Sequence, residues 1–171
     1  MFYAGIGSRQ TPAGILTTMT RFASAAEDLG YILRSGGADG ADSAFEAGVK
    51  LPFHKQIFLP WPGFNGNPSL LTGASEEAFT MAAKFHPAWN RLSQAARKFH
   101  ARNCHQVLGA DLDSPVNFVV CWTPGGKVTG GTGQALRIAE HYGIHIFNLG
   151  RDGDLDLLRA WYKEAACGST K

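Results

Sequence analysis

The sequence predicts an α/β protein built on a doubly wound, mostly parallel sheet in three layers, with helices on both faces. Two observations carry this. Short apolar runs alternate with longer stretches of helical periodicity along most of the 171 residues. Three of those runs end in glycine-rich turns that lead directly into a helix, as the strands of such sheets do at their carboxyl ends. The turns are Gly5-Ile6-Gly7-Ser8-Arg9, Ser35-Gly36-Gly37-Ala38-Asp39-Gly40-Ala41-Asp42 and the stretch from Thr123 to Gly133.

The elements follow in order. Phe2 to Ile6 is short and apolar and forms a first buried strand. Thr11 and Pro12 open a helix, threonine as cap and proline at its first position. From Ala13 to Leu29, the residues Leu16, Met19, Phe22, Ala23 and Ala26 keep helical spacing, and Gly30 ends it. Tyr31 to Leu33 is a second strand, Ala41 to Val49 a second helix and Gln56 to Leu59 a third strand. Pro60 to Ser75 is too rich in breakers for regular structure and is a candidate lid at a strand's carboxyl end. Helices are expected over Ala74 to Phe85 and Ala88 to Val107, then a central strand over Asn117 to Trp122. Gly131 to Tyr142 is helix and Ile144 to Asn148 the last strand. A terminal helix spans about 154–166, with Asp154 near its start. The rhythm is Rossmann-like and makes 1–171 one domain with its core at about 2–149.

Composition narrows the function. A hydrophobic content of 44% supports a core without disulfides. A net charge of +2 is low for a protein that tracks a nucleic-acid backbone, although Arg91, Arg97, Lys98 and Arg102 form a local basic group. The three cysteines, Cys104, Cys121 and Cys167, fit neither a disulfide framework nor a zinc site; Cys121 reads as a small core residue. The six histidines have no metal-ligand spacing, so neither a metal nor another cofactor is expected. No signal pattern and no membrane-length apolar run is present, which predicts a cytoplasmic protein with no membrane partner.

The turns carry the candidate chemistry. Gly7, Ser8 and Arg9 offer backbone donors and a planar cation suited to phosphate. In the second turn Ser35, Gly36, Gly37 and Ala38 leave an open approach path, while Asp39 and Asp42 either cap the following helix or accept from ribose hydroxyls. Glu46 shares a helix face with Asp42 and either completes an acidic cluster or faces solvent. The third turn supplies Thr123, Pro124, Gly125, Gly126, Lys127, Gly130, Gly131, Thr132, Gly133 and Gln134: backbone donors, a cation, hydroxyls and an amide that can read a sugar or base. It lacks the glycine-lysine-serine or glycine-lysine-threonine triplet of nucleoside triphosphatases, and the first turn lacks the third glycine of the dinucleotide fingerprint. Trp61, Phe64 and Trp89 can stack on a base or pack internally. Arg102 and Asn103, late in the long helix, are either ligand-facing or part of its C-terminal capping. Gly37→Val is expected to abolish ligand binding while leaving a folded protein, because a side chain there would fill the phosphate approach.

In order and type the turns resemble the SLOG superfamily. Gly7-Ser8-Arg9 and Ser35-Gly36-Gly37-Ala38-Asp39-Gly40-Ala41-Asp42 resemble the DNA-processing protein A (Smf/DprA) domains. Pro124-Gly125-Gly126 with Gly131-Thr132 resembles the Lonely Guy phosphoribohydrolases, with an insertion between. The likeness spans roughly 2–149 and implies a small stand-alone member of phage type, in the host cytoplasm, assembled as a homodimer or larger homo-oligomer. The helix from Ala88 is the interface it suggests.

The departures shape the function that this likeness implies. In the phosphoribohydrolases a glutamate follows the Gly-Thr pair; here the chain reads Gly133-Gln134-Ala135-Leu136. Glutamine can neither stabilise an oxocarbenium-like centre by charge nor take a proton from water. The first expectation is therefore a protein that binds a nucleotide or nucleotide-derived ligand, such as an ADP-ribose-like signal, and senses or sequesters it. The second is a nucleotide N-glycosidase in which Asp42 or Glu46 (or Asp39) replaces the glutamate and Arg102 holds the substrate. The third, behind both, is a DprA-like module for single-stranded DNA.

Overall fold

The computed structural model describes residues 1–168. Five strands form one wholly parallel sheet: β1 (Phe2–Gly5), β2 (Ile32–Ser35), β3 (Lys55–Ile57), β4 (Phe118–Cys121) and β5 (His145–Asn148), in the order β3-β2-β1-β4-β5. Six helices connect and flank them: α1 (Ala13–Asp28), α2 (Ala41–Gly48), α3 (Glu76–Phe85), α4 (Gln94–Leu108), α5 (Gly130–His141) and α6 (Asp154–Gly168). The strand order reverses between β1 and β4. In open α/β sheets the crevice at that switch point, outside the carboxyl ends, is where ligands sit.

Side-chain alternation along the strands builds the two helical layers. Tyr3, Leu33, Phe118, Val120 and Phe147 face one side, where they meet Met19, Phe22 and Ala23 of α1, Phe45 of α2 and Leu158 of α6. This layer is aromatic: Tyr3 stacks on Phe118 at 5.7 Å, and Trp161 brings α6 to within 4.5 Å of the same ring. Ala4, Ile6, Val119 and Cys121 face the other side, against Ala78, Ala82, Ala101, Cys104, Ala135 and Ala139. Such small residues let α3, α4 and α5 pack closely over a short sheet.

Helix boundaries follow their caps. Ser75 accepts from Ala78 N and starts α3; Ser93 accepts from Ala96 N and starts α4. The expected helix over Ala88 to Val107 is thus a single 3₁₀ turn at Trp89–Arg91 followed by α4, because the serine side chain fixes the entry. Thr11 does not cap α1. Its hydroxyl donates to Ser8 O, and Pro12 takes the capping position without a side-chain bond. From His100 to Leu108 every residue of α4 is buried, so this half of the helix cannot serve as the expected interface. The basic group loses Arg102 to the interior for the same reason.

The segment after β3 is tied to the body at several points. Leu59 and Thr72 form a parallel bridge, Ser69 Oγ donates to Ile57 O at 2.6 Å, and Asn67 Nδ2 donates to Glu46 Oε2 at 2.8 Å. Asn65 Nδ2 donates to Gly37 O at 3.1 Å, which places the loop on the second turn. This segment also covers the free edge of β3, protecting it from edge-to-edge pairing.

The contact between α1 and α2 makes a direct test of the packing. A Cβ on Gly48 would stand 2.2 Å from Thr20 O and 2.7 Å from Ala23 Cβ. Gly48→Ala is expected to lower unfolding free energy by about 2 kcal/mol in urea titration. An unchanged midpoint would show that the two helices are not held at this separation.

Candidate functional site

The three glycine turns lie side by side at the carboxyl edge of the sheet, but much of their glycine content serves their own packing. A Cβ on Gly7 would meet Ala41 Cβ at 2.7 Å and Trp122 O at 3.0 Å, and Ser8 N donates to Trp122 O at 3.1 Å. The first turn is therefore wedged between the second and the third. Gly40, at φ +84°, lies against the backbone of Ser8 and Arg9. Gly37 has φ +64°, and a Cβ there would meet Leu59 Cδ2 at 2.8 Å. Gly37→Val thus strains the fold itself, and the expected ligand-specific loss in an intact protein is corrected accordingly.

A buried ion pair stands at the centre. Arg102 and Asp42 are 4% exposed each, with Nη1 and Oδ2 3.8 Å apart. The same Nη1 donates to Gly36 O and, at 3.1 Å, to Phe58 O. Gly36 is glycine because this guanidinium occupies the space of a side chain. The Asp42 carboxylate is turned toward the backbone N–H groups of Ala38, Gly7 and Gly36. Burial pushes its pKa up to about 6, while Arg102 and those amides pull the other way. Burial likewise lowers the Arg102 pKa, and Asp42 opposes the shift. Amide donors of the first and second turns, read from sequence as a phosphate floor, thus face an anion that the chain supplies itself.

The other carboxylates of the region also have partners. Glu46 pairs with Lys55 Nζ at 3.2 Å and with Asn67. Asp39 Oδ1 accepts from Asn65 Nδ2 at 3.4 Å. Ser35 is fully buried with its hydroxyl on Gly5 O. Thr123 is 1% exposed; Asn148 Oδ1 accepts from its N–H, and Asn148 Nδ2 donates to its hydroxyl at 2.7 Å. Gly126, at φ +67°, packs on Gly150 and Arg151, and Gly133 packs on Val128. Gln134 is fully buried, with Nε2 3.8 Å from Cys104 Sγ. Ala135, next to it, is core.

The start of α5 is different. Nothing lies within 4 Å of a Cβ built on Gly130 or Gly131, and both are exposed. Thr129 at the cap position makes no side-chain bond, and the first turn carries no acidic residue. Among the described residues, the N–H groups of Gly130, Gly131 and Thr132 have no acceptor. Asn103 Nδ2 donates to Gly131 O at 3.0 Å, fixing the turn from below. An uncapped helix start of this kind concentrates partial positive charge and free donors.

Three cations lie in the neighbouring turns. Arg9, Lys127 and Arg151 follow β1, β4 and β5, which are adjacent in the sheet. All three are exposed, and none is in an ion pair among the described residues. Arg151, which sequence reading did not single out, is anchored by Nε donating to Gly126 O at 3.1 Å. Its signal was available: Gly150-Arg151 follows a strand as Gly7-Ser8-Arg9 does.

The aromatic candidates divide. Trp61, Phe64 and Phe99 meet edge to face with centroids 5.1–5.3 Å apart beside Arg102. Trp89 lies under Arg97 instead. Two clefts of about 400 Å³ lie elsewhere, one between α3 and the end of α5 and one beside the loop at 70–75; neither contains a residue of the three turns. No His, Cys, Asp and Glu group suited to a metal occurs among the described residues. No helix described is long and apolar enough to cross a membrane.

No family model, curated protein or solved structure matches this chain.

The raised Asp42 pKa fixes a sign. A carboxyl with a higher pKa in the folded state contributes stability fully present below its ordinary 3.8 and lost as pH rises through about 6. The stability of the protein relative to Asp42→Asn is therefore expected to fall by roughly 1–3 kcal/mol from acid to neutral pH in urea titrations. A relative stability that rises with pH would show a carboxylate held below its ordinary value.

Proposed function

We propose that this protein binds a phosphate-bearing nucleotide or nucleotide derivative at the start of α5 and holds it without cleaving it. The observation that carries this reading is the uncapped start of α5 at Gly130 and Gly131, with free amides pointing to solvent. Backbone donors on a helix axis favour an anion, and glycine lets its oxygens approach closely. Arg9, Lys127 and Arg151 add charge that attracts phosphate from a distance. Trp61, beyond the second turn, offers a ring for a base.

Holding is favoured over N-glycosidic cleavage by the state of the carboxylates. Asp42 is committed to Arg102 and to backbone amides, Glu46 to Lys55 and Asn67, and Asp39 to Asn65. Asp42 and Glu46 are thereby held away from a developing cation or a water; Asp39, exposed and held by one 3.4 Å bond, is the carboxylate that cleavage would have to use. Membership of the SLOG superfamily, a cytoplasmic setting and assembly into a homo-oligomer belong to this same proposal.

The test is direct. Protein purified from cells is denatured, and the released small molecules are identified by mass spectrometry. An intact nucleotide supports holding; free base with ribose phosphate overturns it in favour of cleavage. Co-purified nucleic acid and strongly salt-dependent binding to single strands would replace it with a DNA-binding role. Gly131→Val leaves the fold room and ordinary backbone angles, but shields the helix start. It is expected to weaken AMP, ADP or ADP-ribose binding about tenfold or more in calorimetry, with Tm little changed. Wild-type affinity in this variant would move the site away from α5.

A further inference from the structure

Behind the start of α5 lies a group of basic side chains without an anion of its own. His86, just after α3, and His100 on α4 meet ring to ring with centroids 4.4 Å apart. Arg97 lies one helical turn before His100, with its Nε buried and unpartnered. Arg102 on α4 and Arg137 on α5 add positive charge at the pair. Asp42 engages Arg102 from α2, and Glu140 offsets Arg137 on α5; among the described residues no carboxylate pairs with either ring. One helical turn on from His100, the Cys104 thiol is kept protonated by burial.

His100 is 7% exposed and its Nδ1 has no partner. Gln134, fully buried in the first turn of α5, lies beside this ring, and its Oε1 is also unpartnered. One residue pair further on, Asn103 holds Gly131 O, so the group is joined to the open helix start. Burial and then His86 lower the His100 pKa to about 4, Gln134 opposes the shift, and Arg137 and Arg102 add to it; burial and Arg137 lower that of His86. The free protein therefore keeps both rings neutral near pH 7.

We propose that the His86–His100 pair is a proton-linked part of the anion site: an anion seated at the start of α5 draws a proton from solvent onto His100. The inference rests on the anion site proposed above. The bound negative charge favours the charged ring, against burial first and then the repulsion from His86, Arg137 and Arg102. The neutral ring has one N–H and the charged ring two, so the added proton makes both ring nitrogens donors beside Gln134. By reciprocity, the anion binds more tightly as pH falls. His100 acts here as a positioning residue, through the first turn of α5.

The test uses sulfate, an anion that does not itself titrate in this range, with the whole chain. Histidine ring resonances are followed by NMR from about pH 3 to 8, with and without saturating sodium sulfate. Sulfate is expected to shift the Gly130, Gly131 and Thr132 amides and to raise the His100 pKa by about one unit. Its affinity is expected to rise as pH falls in wild type and to be pH-independent in His100→Asn. Amide shifts with unmoved histidine pKa values would overturn the linkage and leave the anion site standing. Absence of both, with AMP as well as sulfate, would overturn the two together. If His100→Asn fails to fold, His86→Asn, at a half-buried position, assigns the resonances. Because His86 lowers the His100 pKa, its loss is expected to move the sulfate pH dependence to higher pH, and an unmoved dependence would overturn the linkage.

Discussion

A buried guanidinium, Arg102, fastens the carboxyl edge of this sheet. It reaches from α4 to the carbonyl of Gly36, to the end of the third strand at Phe58 O, and to Asp42 on α2. Three elements distant in sequence thereby meet at one cation. Asp42 in turn faces amides of two turns. Removing one partner from such a pair leaves a buried charge uncompensated, at a cost of about 3–5 kcal/mol. The glycines nearby are consequences: Gly36 makes room for the guanidinium, and Gly7 and Gly40 let the first turn settle against the second.

This arrangement divides three similar turns into two kinds. Two are closed on themselves and act as a rigid frame. The third is closed at Gly126 and Gly133 but open between them, where α5 begins without a cap. Backbone polarity in the frame is met internally, while the first N–H groups of α5 have no acceptor among the described residues. The same frame draws Asp42 and Glu46 into ion pairs and hydrogen bonds.

Helix α4 links the two regions. Its second half is buried throughout yet carries His100, Arg102, Asn103, His105 and Gln106. Arg102 serves the frame, Asn103 the start of α5, and His100 sits between them. His105 Nδ1 lies 3.0 Å from Gly109 O, and its ring stacks on Phe58. Polar residues buried on all sides of a helix reflect its position between a sheet and two neighbouring helices, with small residues such as Ala101 and Cys104 allowing the close approach.

The sequence by itself determined the doubly wound architecture. Apolar runs at Phe2, Ile32 and Phe118, and the glycines that follow such runs, specify strands ending in tight turns whatever their neighbours are, since these are local constraints on backbone angle and burial. It determined the third turn as a candidate by the same local logic. Only the tertiary structure decided which turns remain open. Whether a glycine admits a ligand or a neighbouring chain depends on what lies across from it: Arg102, sixty-six positions away, at Gly36, and nothing at Gly131. Helical spacing gave no sign that Arg102 points inward, because polar residues on a helix ordinarily face water. The positions of Arg151 and His100 were hidden for the same reason: strand order, which no local pattern encodes, brought β1, β4 and β5 together.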